Sequence, residues 1–267
     1  MSKEIGDHGD SSNSDLKWLC RTGLILKDHG LEKLQNSHVL VVGLGGVGSF
    51  AAEALARSGI GEITIVDGDS VDPSNRNRQL CALSTTHGLL KADVMEERML
   101  AINPTLRLNK RVEFLTPEKV KELISSAKFD FVLDCIDSIS PKCRLIAECI
   151  FKKRPFISSM GAGGCVDPSN IKYAKLSRTE FCPLAGAVRS GLKLIGVNHF
   201  KKIRIVYCKE PRIEDSLMLT DGSNFKKSAY GTMSYMPAIF GLYMSSFAIR
   251  KLTGIDEERF IRNAKPK

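Results

Sequence analysis

The sequence predicts an α/β protein: a Rossmann-like, doubly wound, mainly parallel sheet with a C-terminal α/β extension. Between residues 38 and 159, short β-branched runs alternate with helical patterns, as parallel sheets require. The first run, residues 39–42, is continuously apolar, which indicates a strand covered on both faces. A glycine-rich loop follows it directly, where such folds turn from strand to helix.

Each element of this first half has a local signal. The predicted strands are residues 39–42, 62–66, 106–112, 129–133 and 155–159. The predicted helices are residues 51–58, 88–102, 117–126 and 141–151. The third helix is the best delimited, because Thr116 is a suitable cap and Pro117 suits the first helical position.

The second half is less regular and is predicted to extend the same domain. Strands are expected at residues 171–176 and 203–208, and helices at 189–195 and 237–252. Asp, Ser, Gly and Lys dominate residues 210–233, which predicts a mobile loop. Residues 1–17 have the composition of a disordered tail, and residues 256–267 form a basic C-terminal tail. The intervening stretch, 18–255, is interpreted as a single domain.

Composition indicates which partners, cellular location and metal sites the protein is expected to have. The net charge of +9 would favour a polyanionic partner such as RNA, although a merely basic surface explains it equally well. No apolar run is long enough to cross a bilayer, and no targeting segment is recognisable, so a cytoplasmic location is expected. The eight cysteines include no CxxC pair, which argues against a zinc site built from close thiolate pairs.

The motif Gly43-x-Gly45-x-x-Gly48 predicts a phosphate-binding turn at a helix N-terminus. Asp67 ends the second strand, where a carboxylate can accept hydrogen bonds from a ribose. Both features occur equally in nicotinamide and flavin dehydrogenases, so alone they do not identify the nucleotide.

The following segment favours a triphosphate. It concentrates polar and cationic side chains beyond the second strand: Asp69, Asn75, Arg78, Gln79 and Lys91. Arginine offers a planar fork for phosphate oxygens and lysine a compact charge. Asp137 follows the fourth strand and should face the same crevice. A carboxylate beside triphosphate is unfavourable unless it holds Mg²⁺, so Asp137 is predicted to be a metal ligand.

These residues resemble the ThiF/MoeB/HesA superfamily of adenylating enzymes, related to ubiquitin-activating enzymes, and within it the tRNA threonylcarbamoyladenosine dehydratase branch. The motifs that carry the resemblance are Gly43-Leu-Gly-Gly-Val-Gly-Ser49, Gly59-Ile-Gly61, Asp67-x-Asp69, Ser74-Asn75-x-Asn77-Arg78-Gln79, Gly88-x-x-Lys91, Ile102-Asn-Pro104 and Asp134-x-Ile-Asp137-Ser138. Gly161-Ala-Gly-Gly164, Asp167-Pro168 and Pro237-Ala-Ile-Phe-Gly241 resemble the dehydratase branch in particular.

The resemblance implies that 18–255 is one adenylating domain that binds ATP and Mg²⁺. It implies that the nucleotide is bound by the glycine loop, at Gly43, Gly45, Gly46 and Gly48, and its ribose by Asp67 of the Asp67-x-Asp69 motif. It also implies that the phosphates are contacted by Asn75, Arg78, Gln79 and Lys91, and that magnesium is bound by Asp137. The implied reaction adenylates a carboxylate on a tRNA adenosine, which then cyclises with loss of AMP. Arg78, Lys91 and Asp137 would serve catalysis by screening charge.

Two positions depart from the family pattern. Leu24 occupies the place of an arginine that relatives donate across a homodimer, although Arg21 lies one helical turn earlier. Cys182 stands where the branch has an aspartate before Pro-Leu-Ala.

Three functions therefore compete. The first is the tRNA dehydratase acting as a homodimer. The second is adenylation of a ubiquitin-like or sulfur-carrier protein, for which Cys182 is the loop cysteine available. The third is a non-catalytic ATP-binding scaffold, which the departure at Leu24 favours.

Overall fold

The computed structural model describes residues 16–219 and 228–256. The predicted tails lie outside these ranges except for residues 16, 17 and 256, which sit in helical turns. Within the described ranges, no helix combines the length and apolar character needed to cross a membrane.

A seven-stranded sheet forms the centre of the molecule. Its strands in chain order are β1 (His38–Val42), β2 (Glu62–Val66), β3 (Arg107–Arg111), β4 (Phe131–Asp134), β5 (Phe156–Ser159), β6 (Ile171–Lys175) and β7 (Arg204–Cys208). Their spatial order is β3-β2-β1-β4-β5-β7-β6. All neighbours are parallel except β6, which pairs antiparallel with β7. This confirms the doubly wound sheet with its α/β extension.

In the described part of the chain, seven α-helices cover both faces of the sheet. They are α1 (Cys20–Gln35), α2 (Gly48–Arg57), α3 (Lys91–Ile102), α4 (Pro117–Ser126), α5 (Ile139–Phe151), α6 (Pro183–Leu194) and α7 (Tyr235–Thr253). The helices α1, α2, α3 and α7 pack on one face, and α4, α5 and α6 on the other. Val39 and Val41 pack in the core beneath α1, α2, α3 and α7, whereas Leu40 and Val42 pack in the core beneath α4 and α5. Both faces of β1 are therefore buried, as predicted.

Most predicted elements are observed at nearly the predicted bounds. The predictions for β2 and α4 coincide with the observed elements, and Thr116 caps α4 by accepting a hydrogen bond from the Lys119 amide at 3.4 Å. α3 begins at Lys91 instead of residue 88, because Gly88 adopts a φ of +81° outside the right-handed region.

Two predictions for the second half are wrong. The helix expected at 189–195 begins at Pro183, since a proline in the first turn loses no hydrogen bond and Ala185 is fully buried. The loop expected throughout 210–233 contains two antiparallel strands, β8 (Leu217–Leu219) and β9 (Ser228–Tyr230). Pairing between these two strands supplies hydrogen bonds that composition does not reveal.

Candidate nucleotide-binding site

The predicted site residues cluster beyond the carboxyl ends of three neighbouring strands. β2, β1 and β4 lie side by side, and the chain leaves β1 toward β2 on one side and later returns with β4 on the other. This reversal creates a crevice beyond the strand ends, where open α/β sheets bind ligands. The Gly43 amide donates to the Val66 carbonyl at 2.8 Å and the Cys135 amide to the Val42 carbonyl at 2.9 Å, which joins all three ends.

The glycine loop requires its glycines for steric reasons. Gly43 has a φ of +91°, and a Cβ placed on Gly48 would lie 1.7 Å from the Gly43 carbonyl oxygen. At Gly46, a Cβ would come within 3.0 Å of Pro237 at the start of α7. Gly45 differs, since its Cβ would meet only the Gln79 amide nitrogen, at 3.8 Å. Gly45 therefore faces open space beside the N-terminus of α2, where backbone N–H groups favour an anion.

Asp67 connects the end of β2 to the glycine loop. Its carboxylate accepts hydrogen bonds from the Leu44 amide at 2.6 Å and the Asp69 amide at 2.8 Å. Burial raises the pKa of Asp67, against the opposing effects of Lys91 and the two amide donors. Asp67 thus holds the loop in shape in addition to any contact with a ribose.

Lys91 and Asp69 form an ion pair at the edge of the crevice. The Lys91 ammonium lies 2.8 Å from the Asp69 carboxylate, and the Lys91 amide donates to the Asp69 carbonyl at 3.0 Å. Lys91 is buried whereas the Asp69 side chain is 39% exposed, so solvent reaches the pair from the carboxylate side. A phosphate at this point would compete with Asp69 for the ammonium.

The segment after β2 is folded by its own polar side chains. Asn75 is buried and accepts from the Asp72 amide at 3.3 Å, completing a capping box around a short 3-10 helix, Pro73–Asn75. Arg78 donates to the Ser74 carbonyl at 2.9 Å and the Asn77 side-chain oxygen at 2.8 Å. Both acceptors are neutral, so the guanidinium charge is not cancelled by a carboxylate in these contacts.

Gln79 presents an unsatisfied polar group beside the glycine loop. Among the described residues its side-chain oxygen is buried and has no hydrogen-bond partner, while its nitrogen faces Gly45. Because a buried unpaired polar atom is costly, its presence here indicates a position shaped for a bound group.

Asp137 lies in the loop between β4 and α5, and it is exposed. The same loop touches the glycine loop, since a Cβ on Gly43 would be 3.0 Å from the Cys135 carbonyl oxygen. The geometry therefore brings the β4–α5 loop to the glycine loop, as expected from the sheet order.

A buried triad beneath this loop was missed from the sequence. The Lys142 ammonium on α5 lies 2.7 Å from the Asp134 carboxylate and 3.2 Å from the Ser158 hydroxyl, and the hydroxyl donates to the same carboxylate at 2.6 Å. The other Asp134 oxygen accepts from the Ile136 amide at 3.2 Å. Lys142 is fully buried, and a lysine at an inward helical position is a sequence signal that could have pointed to it.

Arg212 was also missed. Its guanidinium donates to the Gly163 carbonyl at 2.7 Å and the Gly161 carbonyl at 2.8 Å, and it contacts the Cys165 thiol. The contacts join the glycine-rich loop after β5 to the segment after β7. No local pattern places residue 212 beside residue 161, because the connection depends on β5 and β7 being neighbours.

The cysteines do not form a convincing metal site. Cys165, Cys208 and Glu210 have ligand atoms within 4.8 Å of one another. However, one Glu210 oxygen already accepts from the Val166 and Asp167 amides at 3.1 Å each, and the cationic Arg212 lies against Cys165. The Glu210 oxygen is therefore already engaged by amide donors, and the positive charge of Arg212 beside Cys165 would repel a metal ion. Cys182 is buried at the N-terminus of α6, so the expected loop thiol is not presented to solvent.

Comparison with known proteins agrees with this geometry. The model of the ThiF family matches residues 21–266. The tRNA threonylcarbamoyladenosine dehydratases of Escherichia coli and Bacillus subtilis are each 38% identical to the chain, over 88% and 87% of it and 94% and 93% of their own lengths. The crystal structure of the E. coli dehydratase, TcdA, in complex with ATP matches with a TM-score of 0.80 and 37% identity, over 89% of this chain and 94% of that one.

A more distant relative shares part of the fold. The E. coli sulfur carrier protein ThiS adenylyltransferase is 36% identical over 137 residues, which is 51% of this chain. The match to the family model covers nearly all the described residues and includes every predicted site residue. The chain belongs to the ThiF family.

Proposed function

We propose that the chain is an ATP-dependent tRNA threonylcarbamoyladenosine dehydratase. It adenylates the threonylcarbamoyl carboxylate with release of pyrophosphate, and the acyl adenylate then cyclises with release of AMP, so that the nucleoside loses one water overall. The relatives named as this enzyme are matched over almost their entire length, and one of them binds ATP. The observation in the site that carries the ATP assignment is the open face of Gly45 beside Gln79, whose side-chain nitrogen faces Gly45 and whose oxygen is buried without a hydrogen-bond partner among the described residues.

The site residues have distinct roles in this proposal. The glycine loop and the start of α2 receive the phosphates, Asp67 receives the ribose, and Asn75 with Gln79 orients the nucleotide. Neither the loop nor Asp67 needs to move, because their conformations are already held by the Leu44 and Asp69 amide hydrogen bonds. A preformed site loses little ordering entropy on binding.

Charge screening is the main chemical task of the protein. The substrate carboxylate is an anion at neutral pH and is repelled by the triphosphate. Arg78, bonded to neutral acceptors, and Lys91, which would exchange Asp69 for phosphate, supply the compensating charge. Positioning the carboxylate in line with the α-phosphorus supplies the rest.

Magnesium would be held by Asp137. A single exposed carboxylate beside a phosphate site fits this ion, which takes one or two carboxylates and completes its shell with phosphate oxygens and water. Bound there, the ion would neutralise charge on the phosphates.

The proposed function is tested by incubating the protein with ATP, Mg²⁺ and tRNA carrying the linear modification, followed by mass analysis of the nucleosides. Loss of one water from the modified nucleoside, dependent on ATP, is expected. If the modified nucleoside is unchanged while ATP still binds, the chain is a nucleotide-binding scaffold and the proposal is wrong.

We further propose that the protein is a homodimer located in the cytoplasm. Leu24 and Ile25 on α1 are 72% and 69% exposed, and a partner surface would remove these apolar side chains from water. Arg21 is exposed on the same helix and could reach a partner. Light scattering should give twice the monomer mass at micromolar concentration, and Leu24→Glu should produce a monomer.

Adenylation of a carrier protein remains the second candidate because of the similarity to the ThiS adenylyltransferase. That similarity covers half of the chain, and the burial of Cys182 leaves the proposed thiol without access to a protein substrate. Pyrophosphate release that depends on a carrier protein and not on tRNA would favour this candidate over the dehydratase.

A further inference from the structure

We propose that a basic groove at the amino ends of β4 and β5 binds the ribose–phosphate backbone of the tRNA, away from the nucleotide that reacts. The inference rests on the proposed function for the identity of the RNA. The groove has a volume of about 390 Å³, and its cationic lining residues are Arg154, Lys202 and Lys251. Nothing in the ATP site uses these residues.

Three separate parts of the chain supply the groove's charge. Arg154 follows α5, Lys202 precedes β7, and Lys251 lies in the last turn of α7. The sheet order brings them together, because β4, β5 and β7 are consecutive strands and their amino ends share one edge. Lys152, Lys153 and Lys201 are exposed next to these positions in the chain and extend the positive surface.

The charge of the groove is not neutralised by nearby carboxylates. Within residues 16–219 and 228–256, no ion pair joins Arg154, Lys202 or Lys251 to an acidic side chain. Asp130 also lines the groove, but its carboxylate accepts from the His38 amide at 2.9 Å. Three cationic side chains and one carboxylate line the groove, so its net charge is positive.

Arg154 lines the groove and is held in place by a backbone carbonyl. One terminal nitrogen donates to the Ala127 carbonyl at 3.3 Å, whereas among the described residues Nε is buried without a hydrogen-bond partner. Phe131, Phe156 and Phe247 line the same groove and give it apolar walls. The Lys251 ammonium lies 6.0 Å from the centre of the Phe247 ring. A ribose–phosphate chain suits this combination of apolar walls with cations that have no carboxylate partner among the described residues.

The groove lies at a suitable distance from the ATP site. α7 begins against the glycine loop at Pro237 and reaches the groove at Lys251, which is about 21 Å at 1.5 Å per residue. A span of this length can be bridged by several nucleotides of one RNA strand. The substrate is therefore held at two points: the reacting nucleotide by the crevice and a neighbouring stretch of backbone by the groove.

The test compares two double variants that each remove two positive charges. Lys202→Gln with Lys251→Gln changes exposed groove lysines, and Lys121→Gln on α4 with Lys193→Gln on α6 changes two other exposed lysines as the matched control. Arg154 is left intact because its contact with Ala127 supports the fold. Binding of an unmodified tRNA transcript is measured by fluorescence anisotropy over a series of KCl concentrations.

The groove variant should reduce the slope of log Kd against log salt by about 1.5, given about 0.7–0.9 per lost phosphate contact. The KM for modified tRNA should rise on the order of tenfold with unchanged kcat and ATP affinity, since the lost contacts only hold backbone. A groove variant that binds tRNA with the same salt dependence as the control variant overturns the proposal, as does a wild-type protein that does not bind tRNA. The binding assay requires no turnover, so an inactive protein that binds tRNA through the groove refutes the dehydratase and retains the groove.

Discussion

Lys142 and Asp134 form a fully buried ion pair, 2.7 Å apart, directly beneath the loop that carries Asp137. Asp134 also accepts from the Ile136 amide, so the pair stabilises the start of this loop. It links the interior of the protein to the proposed metal ligand.

Lys142→Met should therefore lower the free energy of unfolding by about 3–5 kcal/mol, because it leaves the Asp134 carboxylate buried without its cation. Urea unfolding measures the change. Adding Asp134→Asn to Lys142→Met should recover part of the loss. Lys121→Met, on the exposed side of α4, is the control and should change stability by less than about 0.5 kcal/mol. A similar small effect for Lys142→Met would contradict the interpretation.

Gly48→Ala should disrupt the glycine loop. The new Cβ would lie 1.7 Å from the Gly43 carbonyl oxygen, so the loop must move and its N–H groups lose their alignment. ATP affinity, measured by calorimetry, should fall at least about tenfold, equivalent to 1.4 kcal/mol. Gly186→Ala in α6 is the matched control, since its Cβ meets only an Arg189 nitrogen at 3.8 Å and should stabilise the helix by roughly 0.5–1 kcal/mol.

Asp137→Ala should abolish turnover and leave the fold intact, because Asp137 is exposed and its proposed role is to hold Mg²⁺. Circular dichroism checks the fold, and the mass assay checks turnover. Raising the Mg²⁺ concentration should partly restore activity to Asp137→Asn, which keeps one oxygen ligand. Normal turnover of Asp137→Ala would show that the metal assignment is wrong.

Asp67 should make stability depend on pH in a defined direction. Burial raises its pKa in the folded protein above the ordinary value of 3.8, so the folded state holds the proton more tightly than the unfolded state. Its contribution is fully present below pH 3.8 and is lost as pH rises through the raised pKa. Relative to Asp67→Asn, the wild type should therefore lose stability across this window in urea titrations. A constant difference between the two proteins would contradict the raised pKa.

The thiols should be largely unreactive in the folded protein. Burial raises the pKa of both Cys81 and Cys143 to about 11, and only the thiolate reacts with an aromatic disulfide reagent. At about pH 8 we expect rapid reaction of the exposed Cys20 and reaction of all eight cysteines after denaturation. The Cys20→Ser variant should show no rapid phase. A rapid phase in that variant would revive a sulfur-transfer role for another cysteine.

Local signals predicted most of the fold. Apolar runs bounded by turn residues located most strands of the large sheet, although β3 is mostly polar, and Thr116 with Pro117 delimited α4 to the residue. The predictions were wrong where a local signal was ambiguous. The helix expected at 189–195 begins at Pro183, and the polar composition of 210–233 concealed β8 and β9.

The positions of the candidate site residues in the fold could also be predicted from local signals. Gly43 to Gly48, Asp67 and Asp137 follow strand ends, and parallel strand ends meet at one edge of a sheet. The structure adds that several of these side chains hold the site together: Asp67 binds the loop amides, and Asn75 completes a capping box. The ligand roles of these residues remain predictions for the experiments above.

By itself, the sequence determined the α/β class, the glycine loop and the residues at the strand ends, because apolar periodicity and turn chemistry are properties of neighbours in the chain. Only the tertiary structure decided that Lys142 meets Asp134 and Ser158, that Arg212 binds the loop at Gly161, and that Arg154, Lys202 and Lys251 line one groove. These contacts depend on β4, β5 and β7 being adjacent while β6 takes the edge. Strand order reflects how whole helices and strands pack together, which no short segment of sequence specifies.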